Sequence, residues 1–131
     1  MADVRVGIDV VTLSRVRRSL ERHKSAFMSK LLTPDEARYC DGPRVVERVA
    51  GRIAAKEAIM KVLGRGWPQV AWTDIEVLAD PSGRPAVTLR GAAEVLMQSS
   101  GITSLDVSIT HDGDVAIAVA AGLLSGAWRG S

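Results

Sequence analysis

The segment Val45–Leu63, VVERVAGRIAAKEAIMKVL, constrains this chain more than any other, because it reads as a long helix with a carboxylate set into its apolar stripe. At about 100° per residue, Val46, Val49, Ala50, Ile53, Ala54 and Met60 gather on one face. Glu57 falls in the middle of that face, and Lys61 lies one turn on, at its edge. Burying a carboxylate without a partner is costly, so Glu57 must have one. One candidate is Lys61 itself, an i,i+4 pair in the favourable Glu-before-Lys order. The other is a metal ion, with the flanking lysines holding an anion. Helical periodicity alone does not choose between them.

The 131 residues suffice for one domain with a real core. We expect a single domain over residues 1–124 and a short C-terminal tail over 125–131. At 47 %, hydrophobic residues are too many for disorder, and they are too dispersed for a membrane span. No charged-then-apolar leader precedes the first strand, so the expectation is a cytoplasmic protein that does not engage membranes. Cys40 is the lone cysteine, which excludes an internal disulfide and a cysteine-rich zinc site.

Net charge is only +2, yet Arg15, Arg17, Arg18, Arg22, His23 and Lys24 crowd the early chain against a single acid, Glu21. Such a run serves as a solvated helix face, or it steers an acidic macromolecule toward a nearby site. One Phe and one Tyr cannot supply the stacking platforms of single-strand nucleic-acid binders. An acidic protein is the better partner, and no nucleic acid is expected.

The element order is α+β. VRVGIDVV (4–11) reads as a buried strand, and Leu13, Val16 and Leu20 recur at helical spacing as far as about His23. Thr33-Pro34-Asp35-Glu36 starts a helix with a capping box, Asp41-Gly42-Pro43 ends it, and Gly64 stops the long helix. Trp72–Leu78 alternates like a strand, Asp80–Gly83 is a turn, and Pro85–Leu89 is a short strand. Gly91–Ser100 reads as a helix. Leu105–Thr110 and Val115–Ala120 form a hairpin around His111-Asp112-Gly113-Asp114.

Two further polar residues interrupt apolar runs. Asp9 sits inside the most hydrophobic strand, where a cap or turn role competes with a functional one. His111 ends the strand LDVSIT, a place where a surface histidine is common. Neither is specific alone.

In combination they are. GIDVVTLSRV (7–16), FMSKLLTPDEARYC (27–40), AGRIAAKEAIMKVLG (50–64), WTDIEVLADPSGRPAV (72–87) and VSITHDGDVAIAVA (107–120) occur in this order and spacing. The pattern resembles the holo-acyl carrier protein synthase family of 4′-phosphopantetheinyl transferases, over nearly the whole chain from Gly7 to about Ala120. GID near the start together with GRxAAKEAxxK is the most specific part.

The resemblance implies an enzyme that transfers the 4′-phosphopantetheine arm of coenzyme A to a serine of an apo acyl carrier protein. The other product is adenosine 3′,5′-bisphosphate. It implies a fold with a small antiparallel sheet packed on a long helix, and a homotrimer with active sites at subunit interfaces. It implies Mg2+ held by Asp9 and Glu57, and Lys61 directed at the same phosphates. Arg44, Arg52, Lys56 and His111 match positions that line the coenzyme A site in relatives, Arg52 and His111 toward the nucleotide end, and the Gly64-Arg65-Gly66 turn is expected to pass close to the adenine. Arg15 matches an arginine of the basic first helix on which relatives dock acidic carrier proteins, and Arg22 lies two turns along the same side. Whether Glu57 or a water takes the serine proton stays open.

The chain departs from the family pattern at three places. Thr12 stands where many relatives carry a glutamate, Ile53 replaces an aromatic in GRFAAKEA, and Lys30 stands where arginine is common. Asp9, Glu57 and Lys61 are untouched, so activity is expected to survive while carrier preference shifts. The competing readings are an inactive coenzyme A-binding homologue and a basic nucleic-acid-binding module. The sequence does not choose between a fatty acid synthase and a polyketide synthase carrier.

Overall fold

The structure, a computed structural model, describes residues 3–125. Nearly all of the expected tail, residues 126–131, lies outside the described residues. Strand β1 (Val4–Thr12) pairs antiparallel with β5 (Val115–Leu124), whose other side pairs antiparallel with β4 (Ile102–Asp112). The sheet order is therefore β1-β5-β4. A separate antiparallel pair joins β2 (Ile75–Ala79) to β3 (Pro85–Leu89). In the intervening turn the Asp80 carboxylate accepts hydrogen bonds from the Ser82 and Arg84 amides, at 2.8 and 3.0 Å.

Four helices complete the fold: α1 (Leu13–Leu31), α2 (Pro34–Cys40), α3 (Val45–Leu63) and α4 (Gly91–Ser99). Helix α3 has the span read from the sequence and packs against the inner face of the three-stranded sheet. Gly64 ends it at φ +81°, a left-handed conformation that glycine adopts without strain. Helix α2 opens with both halves of its capping box: Thr33 Oγ1 accepts from the Glu36 amide at 3.2 Å, and Glu36 Oε1 accepts from the Thr33 amide at 2.9 Å. The core flanks α3 on two sides. One cluster unites it with β2, β4, β5 and α4, the other with α1 and α2.

Three expectations are corrected here. Helix α1 runs on past His23, where the backbone leaves helical geometry (φ −144°, ψ 46°) and a second helical segment continues to Leu31. The segment read as a strand from Trp72 begins instead as a 3-10 turn, Trp72–Asp74, before β2. Helix α3 carries no single apolar stripe: every residue from Val49 to Lys56 is buried, as are Ala58 to Met60 and Val62 to Leu63. Glu57 and Lys61 therefore lie on its one open seam rather than in the middle of a buried face.

Candidate active site

The site begins with the packing of β1 on α3. Along β1 the side chains alternate, so Gly7 and Asp9 face inward while Ile8 faces out. A Cβ on Gly7 would lie 2.1 Å from the Ala58 carbonyl oxygen, so the strand meets the helix backbone directly. That close approach sets Asp9 beside Glu57 and Lys61. Lys61 Nζ donates to the Ile8 carbonyl at 2.6 Å and pairs with Asp9 Oδ1 at 3.5 Å. The partner expected for Lys61 within its own helix, Glu57, is thus replaced by groups on β1.

Asp9 Oδ2 is buried and has no hydrogen-bond partner. Burial pushes Glu57 up to about 7, helped by a hydrogen bond to Asp9 and by that residue's charge, while Lys61 pulls it down. A proton on Glu57 would give Asp9 a donor. Without that proton, two carboxylates crowd together with one oxygen unsatisfied, an arrangement that a cation relieves. Among the described residues no group of three or more His, Cys, Asp or Glu side chains could cage a metal. Two carboxylates nonetheless suit Mg2+, which keeps waters and takes further oxygens from phosphates.

Glu57 lines two cavities. The first, about 510 Å³, is walled by Met60, Lys61, Gly64, Arg65, Trp67 and Trp72. The second, about 320 Å³, opens between β1, α1 and α3 and is lined by Thr12, Arg15, Ser19, Phe27 and Ile53. Glu57 thus stands between a mostly apolar pocket that Lys61 also lines and a pocket beside the basic helix.

The other expected residues divide. Gly64 lines the first cavity. Arg15 and Arg22 are exposed on α1 ahead of its break. Arg44 and His111 lie at the far end of α3: Arg44 pairs with Glu47 at 3.6 Å, and His111 Nε2 is 2.9 Å from the Glu47 carbonyl. Arg52 and Lys56 line neither cavity, and both are engaged inside the fold. Arg52 is buried, donates from Nε to the Val77 carbonyl at 3.0 Å, and stacks on the Tyr39 ring at 4.5 Å. Lys56 is fully buried in an ion pair with Glu36, 2.7 Å apart.

Sequence reasoning missed Trp67 and Trp72 as cavity walls, and it missed Asp114. Thr12 makes no capping bond at the start of α1. Asp114 caps it from the hairpin tip, accepting from the Ser14 amide at 3.1 Å and the Ser14 hydroxyl at 2.8 Å. The Asp-Gly-Asp turn held the signal, but a cap lent across the chain leaves no local spacing to read.

Comparison with known proteins agrees with this geometry. The profile of the 4′-phosphopantetheinyl transferase superfamily matches residues 5–120. The holo-[acyl-carrier-protein] synthase of Solidesulfovibrio magneticus is 46 % identical over 115 residues, covering 87 % of this chain and 93 % of that protein. That of Gloeobacter violaceus is 40 % identical over 116 residues, covering 87 % and 88 %. Among solved structures, Helicobacter pylori holo-[acyl-carrier-protein] synthase in complex with coenzyme A superposes with a TM-score of 0.79 at 33 % identity, covering 92 % of this chain and all of that one. The Neisseria meningitidis enzyme gives 0.81 at 28 % identity, covering 89 % and 95 %. On the strength of residues 5–120 and of these relatives, the chain belongs to the holo-[acyl-carrier-protein] synthase family of the 4′-phosphopantetheinyl transferase superfamily.

Proposed function

We propose that the protein transfers the 4′-phosphopantetheine arm of coenzyme A to a serine hydroxyl of an apo acyl carrier protein, with Mg2+ held by Asp9 and Glu57. The observation that carries this reading is the Asp9–Glu57 pair, with its unsatisfied oxygen and adjacent Lys61, whose Glu57 lines two cavities. The serine oxygen attacks the phosphorus that bears the pantetheine arm, and the bond to adenosine 3′,5′-bisphosphate breaks. When bound, Mg2+ supplies charge neutralisation for the pyrophosphate and the departing phosphate.

The chain's own residues do the remaining work, which in phosphoryl transfer is mostly placement and charge. Lys61 is anchored to the Ile8 carbonyl yet half exposed, so its ammonium can meet phosphate oxygens in the first cavity. The apolar walls of that open pocket, Met60 and Trp72 among them, give the donor a surface to pack against. The second cavity suits the incoming serine, because Arg15 stands at its rim and an acidic carrier would meet the basic helix there. The serine proton goes to Glu57 or to a water that the two carboxylates hold.

A trimer fits the outer face of the sheet. Val4, Val6, Ile8 and Val10 on the free edge strand are 45 %, 69 %, 56 % and 57 % exposed, and Val119 and Leu123 adjoin them. An apolar face on an unpaired edge calls for a partner. Arg44 precedes Glu57 by about 20 Å of helix axis. A neighbouring chain is therefore the natural source of an Arg44 and His111 contact with coenzyme A. No helix among the described residues is long and apolar enough to cross a membrane.

The test is incubation with coenzyme A, Mg2+ and a panel of apo carrier proteins from fatty acid and polyketide synthases, read by intact mass. We expect at least one carrier to gain a single phosphopantetheine group. No gain on any carrier, from protein that is folded and binds coenzyme A, would refute the transferase reading.

A further inference from the structure

The residue before Glu57 has no part in the chemistry above, yet its side chain is fully hydrogen-bonded beside the site. Lys56 is 0 % exposed. Its Nζ donates to Glu36 Oε1 at 2.7 Å, to the Leu31 carbonyl at 2.6 Å and to the Trp72 carbonyl at 3.0 Å. An ammonium has three donors, and all three are used. Glu36 is equally committed, accepting from the Thr33 amide at 2.9 Å and the Val77 amide at 2.7 Å. Burial pushes the Lys56 ammonium down and the Glu36 carboxylate pulls it back up. A buried ion pair of this kind adds little net stability over apolar residues of the same volume, so its three acceptors are the informative feature.

Each acceptor sits in a segment bordering the site. Leu31 ends α1, whose segment beyond the His23 break carries Phe27 of the second cavity. The Trp72 side chain walls the cavity shared by Glu57 and Lys61. Glu36 lies on α2, which links those two segments to β2 through Val77. A second tie runs parallel: Lys30, in the last turn of α1, stands 4.8 Å over the ring of Trp67 on the same cavity wall. One ammonium on α3 thus gathers the segment of α1 beyond its His23 break and the cavity wall onto the backbone that carries Glu57.

We propose that Lys56 is a positioning residue for the transfer: it sets the Trp72 wall and the end of α1 relative to Glu57 without touching either substrate. This rests on the transferase reading above and deepens it. Loss of the ammonium frees the wall against which coenzyme A packs, so affinity for coenzyme A falls in molecules that remain folded.

The test compares Lys56→Met and Lys56→Gln with Ile102→Ala, a core variant on β4 away from both cavities that also lowers the melting temperature. KM for coenzyme A is measured per folded molecule, and coenzyme A affinity by calorimetry. We expect Lys56→Met to raise KM about tenfold with a matching loss of affinity, because the wall is misplaced before chemistry begins. Lys56→Gln keeps neutral donors and should fall between it and the wild type, and it carries the comparison if Lys56→Met does not fold. Ile102→Ala should leave KM unchanged. Lysine variants with wild-type KM and affinity, differing from wild type only in melting temperature, would reduce Lys56 to a structural ion pair. Calorimetry needs no turnover, so a wild type that binds coenzyme A and modifies no carrier would refute the reaction and still leave this comparison decisive.

Discussion

Glu57 has two states, and the balance between them is measurable. Its carboxyl is pushed up from 4.5 to about 7 by burial and by Asp9. Between those values the folded chain holds a proton that the unfolded chain releases, so stability falls as pH rises through that window. The melting temperature of the metal-free protein should drop between pH about 4.5 and 7, and Glu57→Gln should flatten the decline. An unaltered slope in Glu57→Gln would assign the titration to another group. Saturating Mg2+ should also remove the decline, since a cation favours the ionised pair. Lys61 behaves differently. Its side chain is 56 % exposed, and an exposed ion pair contributes about 0–1 kcal/mol. Lys61→Met should therefore melt near the wild type, yet lose about a hundredfold or more in turnover if its charge meets phosphates. A variant that melts early and turns over normally per folded molecule would make Lys61 a mere strut. At this scale the sequence was legible in kind but not in neighbour. It located charge inside α3 and put Glu57 inside the apolar face, whereas the fully buried charge is Lys56. When a helix is covered on nearly all sides, apolar periodicity cannot tell which of two adjacent charges faces the core.

Elements were read more securely, because caps and breakers act locally. The capping box of α2, the Gly64 stop of α3 and the β2–β3 turn all lie where their residues placed them. The far half of α1 was not legible, since His23 leaves helical geometry and interrupts the spacing that would have carried the helix onward. The reason for glycine in GID became visible only with the packing of β1 on α3. Gly7→Ala puts a methyl group 2.1 Å from the Ala58 carbonyl, where backbone rather than a flexible side chain must give way. Overpacking of this kind costs about 1–3 kcal/mol, and here it also displaces Asp9 from Glu57. We expect Gly7→Ala to lose metal affinity and turnover beyond what its melting temperature accounts for. Normal Mg2+ dependence in that variant would show that the contact is not what places the carboxylate.

At the scale of the molecule, the outer face of β1 is the feature that one chain leaves unresolved. Val6, 69 % exposed, lies near the centre of that face. Val6→Glu introduces a charge that any apolar interface there must bury, so sedimentation should show a smaller species than the wild type, with Asp9 and Glu57 intact. A monomeric wild type would refute the assembly. The sequence marked β1 as a buried strand, and the single chain leaves half of it bare; burial between chains and burial within one look alike in a hydrophobic pattern. The two faces of the strand serve different ends, with Gly7 and Asp9 turned toward the helix and Ile8 toward the outside. On the proposed function, self-association and Mg2+ binding both need this nine-residue strand ordered, so each should favour the other by holding β1 in its folded form. Specific activity should then rise with protein concentration until the oligomer is saturated, and added Mg2+ should move that threshold to greater dilution.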